Sequence, residues 1–211
     1  MGKSLGVMHI LNKVHTRMEI PNKWVSVIGQ VTDPFKWMIY GMPKHGKTTF
    51  ILEFCKDLSE HTKVYYNSME EGDSGTFQDA FKRVGFNERN IGNFTLGDRD
   101  SYPEMVEKLK KNRAKIVVID SRDYINMSTT QFKKLTERFP KKSFIIICWE
   151  QNKQPLGKYA KDMRFMVDMV TRVNDHIAIT DGRFGAHLKY DIWPEKETRI
   201  KKLGGLFQGH E

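Results

Sequence analysis

The residues with the clearest chemical pattern lie between positions 41 and 49. Residues 41–48 match G-x-x-x-x-G-K-[ST] at every position. The two glycines let the backbone wrap around an anion with its N–H groups pointing inward, and a following helix directs its positive end at the same place. The alternative is a chance match in a basic loop. The segment that we predict to bind phosphates comprises Gly41, Met42, Pro43, Lys44, His45, Gly46, Lys47, Thr48 and Thr49.

Each position of this segment has its own predicted role. Lys47 would reach the β- and γ-phosphates of ATP, and the Thr48 hydroxyl would bind Mg²⁺. Pro43 removes one N–H group from the loop. Lys44 and His45 stand at variable positions of the pattern, so we expect their side chains to face solvent.

A second metal ligand is expected at the end of a buried strand. Four apolar residues, 116–119, are followed directly by Asp120. A carboxylate there would hold Mg²⁺ through its water shell. Alone this arrangement is common in α/β proteins, and its value comes from the phosphate-binding pattern upstream.

A third position would have to orient and deprotonate an attacking water. Residues 64–68 form an apolar run that ends near two carboxylates, Glu70 and Glu71. On spacing alone, a solvated acidic loop is the more common interpretation of such a pair.

Strand and helix patterns alternate around these positions. Apolar or β-branched runs predict strands, and apolar residues at helical spacing predict amphipathic helices. Two capping-box patterns, at 101–104 and 128–131, mark helix starts. The predicted strands are 37–40, 64–66, 116–119, 144–149, 176–180, 188–193 and 198–203, and the predicted helices are 47–60, 76–84, 101–111, 128–139 and 159–170.

This order of elements predicts an α/β fold. Apolar strands without alternation, separated by amphipathic helices, indicate a mostly parallel sheet covered by helices on both faces. The last two predicted strands would form a C-terminal β-hairpin. We divide the chain into an N-terminal arm, 1–30, and a single core domain, 31–211. Such a sheet binds ligands at the carboxyl ends of its strands.

Composition limits the possible classes of protein. The net charge of +9 suits a polyanionic partner, although a well-solvated surface is an equal alternative. No apolar run approaches the roughly 20 residues of a membrane helix, and no signal peptide is recognisable. Cys55 and Cys148 lie in apolar patterns, which favours buried thiols in a cytoplasmic protein over a disulfide framework.

The order of the motifs resembles the RecA-like ATPase core in its RadA and DnaB branch. Besides the phosphate-binding pattern, residues 64–71 (VYYNSMEE) are similar to the RadA pattern V-L-Y-V-S-G-E-E. Residues 166–170 and 183–185 are similar to its H-M-V-D-T-V and K-N-R-F-G patterns. The resemblance spans about residues 30–190 and implies the RecA-like fold with ATP and Mg²⁺ as cofactors.

The resemblance also implies catalytic roles. Glu70 would activate water, with Glu71 as the competing choice. The strand at 144–149 would lead to a polar γ-phosphate sensor, for which Gln151 is favoured over the electrostatically awkward Glu150. Arg183 would reach the ATP of a neighbouring subunit. Asp181 replaces the lysine that accompanies this arginine in the family, which predicts slow hydrolysis that depends on assembly or DNA.

The family binds single-stranded DNA through loops that here correspond to 121–130 and 151–164. In the second loop, cations and an aromatic ring suit a flexible strand, whereas a solvated loop is the alternative. The expected DNA-binding residues are Lys153, Lys158, Tyr159, Lys161 and Arg164.

A core without additional domains is most similar to small phage-encoded RecA-like proteins of recombination and single-strand annealing. The expected function is therefore ATP hydrolysis by a homo-oligomer, a ring or a filament, on single-stranded DNA in a host cytoplasm. A nucleotide-gated DNA-binding module with negligible turnover and a small-molecule kinase are the alternatives.

Overall fold

A computed structural model describes residues 4–185 and 189–194, and a central β-sheet dominates it. The order along the sheet is β3-β2-β4-β5-β1-β7-β8-β9, and the short β6 pairs only with β5. Strands β1 to β5 and β7 run parallel, whereas β6, β8 and β9 enter by antiparallel pairing. The strands are β1 Lys36–Gly41, β2 Val64–Ser68, β3 Phe94–Asp98, β4 Ile116–Asp120, β5 Ser143–Gln151, β6 Gln154–Pro155, β7 Met169–Asn174, β8 Ile177–Gly182 and β9 Lys189–Asp191.

The helices connect the parallel strands. Both predicted capping boxes are confirmed, at Ser101 before α5 and at Ser128 before α6, and each satisfies N–H groups that the first turn leaves open. The helices are α1 Val7–Asn12, α2 Asn22–Ile28, α3 Lys47–Ser59, α4 Gly75–Val84, α5 Tyr102–Lys111, α6 Thr129–Arg138 and α7 Gly157–Met163, with short 3₁₀ turns at Glu88–Asn90 and Arg164–Met166.

Two apolar cores lie on opposite faces of the sheet. One contains Trp24, Phe50 and Phe77, which belong to α2, α3 and α4. The other contains Leu109 and Phe132 from α5 and α6, together with residues of α7. The predicted sheet, mostly parallel and covered on both faces, is therefore confirmed, and its central strands are apolar because both sides are buried.

Two strands differ from the sequence prediction. The helix expected over 159–170 ends at Met163, and Met169 already belongs to β7. Polar residues interrupt β7, and its burial alternates, so its apolar positions also fitted a helical period. Strand β3 was not predicted, because it is an edge strand in which Gly97 is the only fully buried residue.

The N-terminal region is divided by its packing. Helix α1 has no buried residue, whereas Trp24, Val27 and Ile28 of α2 are buried against α3 and the sheet. Part of the predicted arm, from about Met18, thus packs as core. No helix in the described residues is long and apolar enough to cross a bilayer. The second strand of the expected C-terminal hairpin, 198–203, lies outside the described residues.

Candidate nucleotide-binding site

The phosphate-binding pattern forms the turn between β1 and α3. Strand β1 ends at Gly41, and α3 begins at Lys47. Gly46, which precedes the helix, has φ 98°, a left-handed conformation that a side chain would strain. The Lys47 ammonium group donates to the carbonyl oxygens of Gly41 and Met42, each at 2.9 Å. Its charge therefore lies inside the concave side of the loop.

Asp120 lies beside this loop at the end of β4, as the sequence predicts. Its Oδ2 accepts hydrogen bonds from the Tyr66 hydroxyl at 2.5 Å and from Thr48 Oγ1 at 3.4 Å. Burial raises the pKa of Asp120 to about 6, although the hydrogen bond from Tyr66 acts in the opposite direction. The carboxyl group is thus mostly ionised at neutral pH, and a bound cation would favour this form further.

The loop after β2 brings two carboxylates to the same place. The N–H groups of Met69 and Glu70 point at the carbonyl oxygen of Asp120, at 2.5 and 3.4 Å. Burial lowers the pKa of Lys47 and raises that of Asp120, and the charge of the exposed Glu70 side chain acts on both groups in the upward direction. Glu71 is tethered, because its Oε2 accepts a hydrogen bond from Thr76 Oγ1 at 2.7 Å.

These groups line one cavity of about 590 Å³ at the carboxyl edge of the sheet. Its wall also contains residues that sequence reasoning did not single out as site residues. Trp149 and Tyr124 form one side, with an edge-on ring contact at 5.2 Å. Arg83 and Trp193 form another, with the guanidinium 5.7 Å from the indole ring. Aromatic rings distant in sequence carry no local motif, so only the fold could reveal them.

The turn between β7 and β8 contacts the phosphate-binding loop. His45 Nδ1 accepts a hydrogen bond from the Asp175 N–H at 2.8 Å, and the His176 N–H donates to the His45 carbonyl at 3.2 Å. His45 is half-buried, so the expectation that it simply faces solvent was wrong. Lys44 is exposed, as expected.

The proposed phosphate sensor has a different position from its neighbours in the site. Gln151 pairs with Gln154 in the tight hairpin of β5 and β6, and it is not among the residues lining the cavity. Glu150 points elsewhere, because both its oxygens bind Arg172, at 2.7 and 2.9 Å. Trp149 is the residue of this strand end that faces the cavity.

Arg183 lies at the opposite edge of the sheet from the cavity. Strand β8 runs antiparallel to β7, so Gly182 pairs with Met169 at the beginning of β7. The Arg183 guanidinium is 71% exposed and lies 3.4 Å from Asp168. About six extended residues, roughly 20 Å, separate it from the turn at the cavity.

The expected DNA-binding residues follow β5. Lys153 lies in the hairpin turn with φ 61°, and Lys158, Tyr159 and Lys161 are exposed on α7. Arg164 is half-buried and donates to Gln154 at 2.7 Å. The predicted loop is therefore a hairpin and a short helix, which present three cations and one aromatic ring to solvent.

A chain of contacts joins this surface to the cavity. The Arg122 guanidinium stands 5.7 Å from the Tyr159 ring and forms a 2.5 Å ion pair with Asp123, and both charged groups are buried. Asp123 in turn accepts the Trp149 N–H at 2.6 Å. Trp149 lines the cavity, so the two sites share one connected set of side chains.

The donor set fits a magnesium nucleotide. Lys47 is satisfied only by loop carbonyls, a position in which an ammonium can turn to a phosphate. Thr48 and Asp120 offer the oxygen ligands that Mg²⁺ prefers, with waters and phosphate oxygens completing the shell. The described residues contain no cluster of three His, Cys, Asp or Glu side chains, so a metal cage made of protein alone is absent there.

Comparison with known proteins extends this result to the whole fold. No family model matches the sequence, and no curated protein matches it in sequence. Solved structures do match. A KaiC-like protein from Pyrococcus horikoshii superimposes with a TM-score of 0.62 at 17% identity, covering 84% of this chain and 94% of that one.

Two further structures agree. The flagellar accessory protein FlaH from Methanocaldococcus jannaschii gives a TM-score of 0.58 at 14% identity, covering 84% of this chain and 94% of that chain. The ATPase domain of a DnaB-like protein gives 0.57 at 16% identity, covering 87% of this chain and 91% of that domain. At these identities the likeness concerns the fold. The chain has the fold of the RecA-like P-loop ATPases, as the sequence resemblance predicts.

Proposed function

We propose that this protein binds and hydrolyses ATP with Mg²⁺ and acts as a homo-oligomer on single-stranded DNA, in recombination, repair or replication of a phage or mobile element. The observation that carries the proposal is the grouping of Lys47, Thr48, Asp120 and Glu70 around one cavity. The first three suit the phosphates and the metal. Glu70 adds a carboxylate that can accept the proton of an attacking water.

The cavity has one end for phosphate and one for the base. Lys47 and Asp120 mark the phosphate end. Arg83 and Trp193 form the other wall, where an indole ring, 42% exposed, can stack on a nucleobase. Arg83 is held in place by a hydrogen bond to Thr49 at 3.3 Å, so the two ends belong to one continuous surface.

Single-stranded DNA is the proposed partner of the surface formed by Lys153, Lys158, Tyr159 and Lys161. Three exposed cations beside an aromatic ring match a flexible, stacked strand. The contacts from Tyr159 through Arg122 and Asp123 to Trp149 support coupling, because a strand that moves Tyr159 acts on a wall of the cavity.

Replacing Lys158 and Lys161 together by Ala tests this surface. We expect DNA-stimulated hydrolysis to fall toward the rate without DNA, while the basal rate stays unchanged. The salt dependence of strand binding should also weaken, by about 1.4 in the slope of log affinity against log salt, since each phosphate contact on a single strand contributes roughly 0.7. Steady-state hydrolysis and anisotropy at several salt concentrations measure both. An unchanged slope would mean that α7 merely presents a solvated face.

Replacing Arg183 by Ala tests the oligomer. Arg183 lies at the edge remote from its own cavity, which favours action on a neighbouring subunit. We expect hydrolysis to fall about ten- to hundredfold, because a guanidinium that stabilises charge on the transferred phosphoryl group is lost. Asp181 beside it lacks the second positive charge, so the loss stays below that of the strongest arginine fingers. Nucleotide affinity should hardly change.

Mixing variants separates action in trans from action in cis. Arg183→Ala and Glu70→Gln proteins are each inactive in this scheme, yet about one quarter of randomly mixed interfaces pair an intact Glu70 with an intact Arg183. We therefore expect an equimolar mixture to recover about that share of wild-type hydrolysis. No recovery would assign Arg183 to its own subunit, and undiminished hydrolysis by the single variant would leave it only a structural role.

A nucleotide-gated DNA-binding module is the second candidate. Asp181 stands where the family has a lysine, and the loss of this cation weakens charge stabilisation in the transition state. Negligible turnover with and without DNA, together with ATP-dependent DNA affinity, would identify this function. Phosphate transfer to a small-molecule acceptor would instead identify a kinase.

A further inference from the structure

A row of basic side chains crosses the amino edge of the sheet, opposite the nucleotide cavity. Lys63 directly precedes β2, Lys115 precedes β4, and Lys141 and Lys142 precede β5. Residues 108–115 contain five cations and no acidic residue. The amino-edge basic row, as we name it, consists of Lys63, Lys111, Arg113, Lys115, Lys141 and Lys142.

Backbone hydrogen bonds fix these residues as neighbours. The Lys115 N–H donates to the Lys63 carbonyl at 2.9 Å, and the Ser143 N–H donates to the Lys115 carbonyl at 2.8 Å. Lys142 Nζ reaches back to the carbonyls of Asn112 and Ala114, at 2.8 and 2.5 Å, and so ties the two turns together. Adjacent strands lie about 4.8 Å apart, so the cations repeat at a regular, short interval.

The surrounding carboxylates do not neutralise the row. Asp33 lies 3.4 Å from the exposed Lys115, and Glu107 pairs with Lys110, which is outside the row. Asp100 binds Lys108, and Glu137 lies 4.0 Å from Lys133. Four members, Lys63, Lys111, Arg113 and Lys141, are exposed and form no ion pair within the described residues.

Helix electrostatics explain only part of this charge. Cations in the last turn of α5, Lys111 among them, are favoured by the negative end of the helix. Arg113, Lys115 and Lys63 lie outside helices, and Lys141 follows the end of α6. Their repulsion is a cost that the fold alone does not require, which points to a polyanionic partner.

A cleft beside the row adds a second feature. It has a volume of about 280 Å³, with Lys36 and Lys142 among its lining residues together with the apolar Pro34, Pro140 and Phe144. Regularly spaced cations next to an apolar recess match a nucleic-acid strand, whose phosphates repeat and whose bases have apolar faces. An acidic polypeptide would satisfy the charge but has no evident use for the recess.

We propose that the amino-edge basic row binds the phosphate backbone of a single-stranded nucleic acid, at a site separate from α7. The two surfaces lie at different edges of the sheet, so each can hold its own segment of strand. This inference goes beyond the proposed function and does not need ATP at the cavity.

The test replaces Lys111, Arg113 and Lys141 together by Ala. The matched control replaces Lys13, Lys82 and Lys189, three exposed cations outside the row, and so removes the same charge. Anisotropy of a labelled 30-residue oligonucleotide, without nucleotide and over a range of salt concentrations, reports binding. We expect the slope of log affinity against log salt to fall by about 2 in the first variant and to change little in the control, because only the first loses phosphate contacts.

Two outcomes would overturn the inference. One is an unchanged slope in the row variant, or an equal change in row and control variants. The other is displacement of the oligonucleotide from the Lys158→Ala, Lys161→Ala protein by polyglutamate as effectively, per charge, as by unlabelled oligonucleotide, which would identify an acidic polypeptide as the occupant. The α7 surface is measured separately in the same titration, so the failure of either surface leaves the other distinguishable.

Discussion

Replacing Lys47 by Ala should reduce the affinity for ATP by about ten- to a hundredfold and abolish measurable hydrolysis. The ammonium group lies in the loop 2.9 Å from two carbonyl oxygens, where a bound β- or γ-phosphate would replace them as partner. A hydrogen bond to a charged group contributes about 1.5–3 kcal/mol, and each 1.4 kcal/mol is a factor of ten in affinity. Isothermal titration calorimetry with ATP and Mg²⁺ measures the loss.

The fold should survive this substitution. Burial lowers the pKa of Lys47, so the charged group is held at some cost that the shorter side chain removes. Lys44→Ala is the matched control, because Lys44 belongs to the same loop but its side chain is exposed. We expect a loss below tenfold there. Equal losses in the two variants, or unchanged affinity in Lys47→Ala with a native circular dichroism spectrum, would remove the basis for the phosphate-binding loop.

The position of this loop was predictable from the sequence because its geometry is local. Eight consecutive residues specify the turn, and the apolar run before it and the apolar face after it specify the strand and the helix. Asp120 was predictable for a similar reason, since the end of a buried strand in a parallel sheet faces the ligand edge.

Other parts of the site depend on contacts that no local pattern encodes. His45 meets Asp175 across 130 positions, and Tyr66 reaches Asp120 across 54. Trp193 and Arg83 come together only because β9 joins the sheet beside β8 and α4 packs on α3. Sequence periodicity also misassigned the start of β7, where the apolar positions suit a helix and a strand equally well.

The electrostatic positions of the two carboxylates after β2 distinguish the candidate bases. Glu70 is exposed, makes no hydrogen bond through its side chain within the described residues, and acts on the charges of Lys47 and Asp120. Glu71 is committed to Thr76 at 2.7 Å, and its carbonyl accepts a hydrogen bond from Arg99. A base must be free to approach a water at the γ-phosphate, which favours Glu70 over Glu71.

Replacing Glu70 by Gln should therefore lower the rate of ATP hydrolysis by about 10²- to 10⁴-fold, the usual contribution of a positioned general base. The amide preserves shape and hydrogen bonding but cannot accept the proton, so ATP should bind with nearly wild-type affinity and remain intact. Glu71→Gln keeps an oxygen for Thr76 and should retain most of the turnover. Single-turnover hydrolysis, measured beside equilibrium binding, separates the chemical step from affinity. If Glu71→Gln stops turnover while Glu70→Gln does not, the base is one position further along the chain; if neither lowers it, water is activated from another element and the loop after β2 only shapes the cavity.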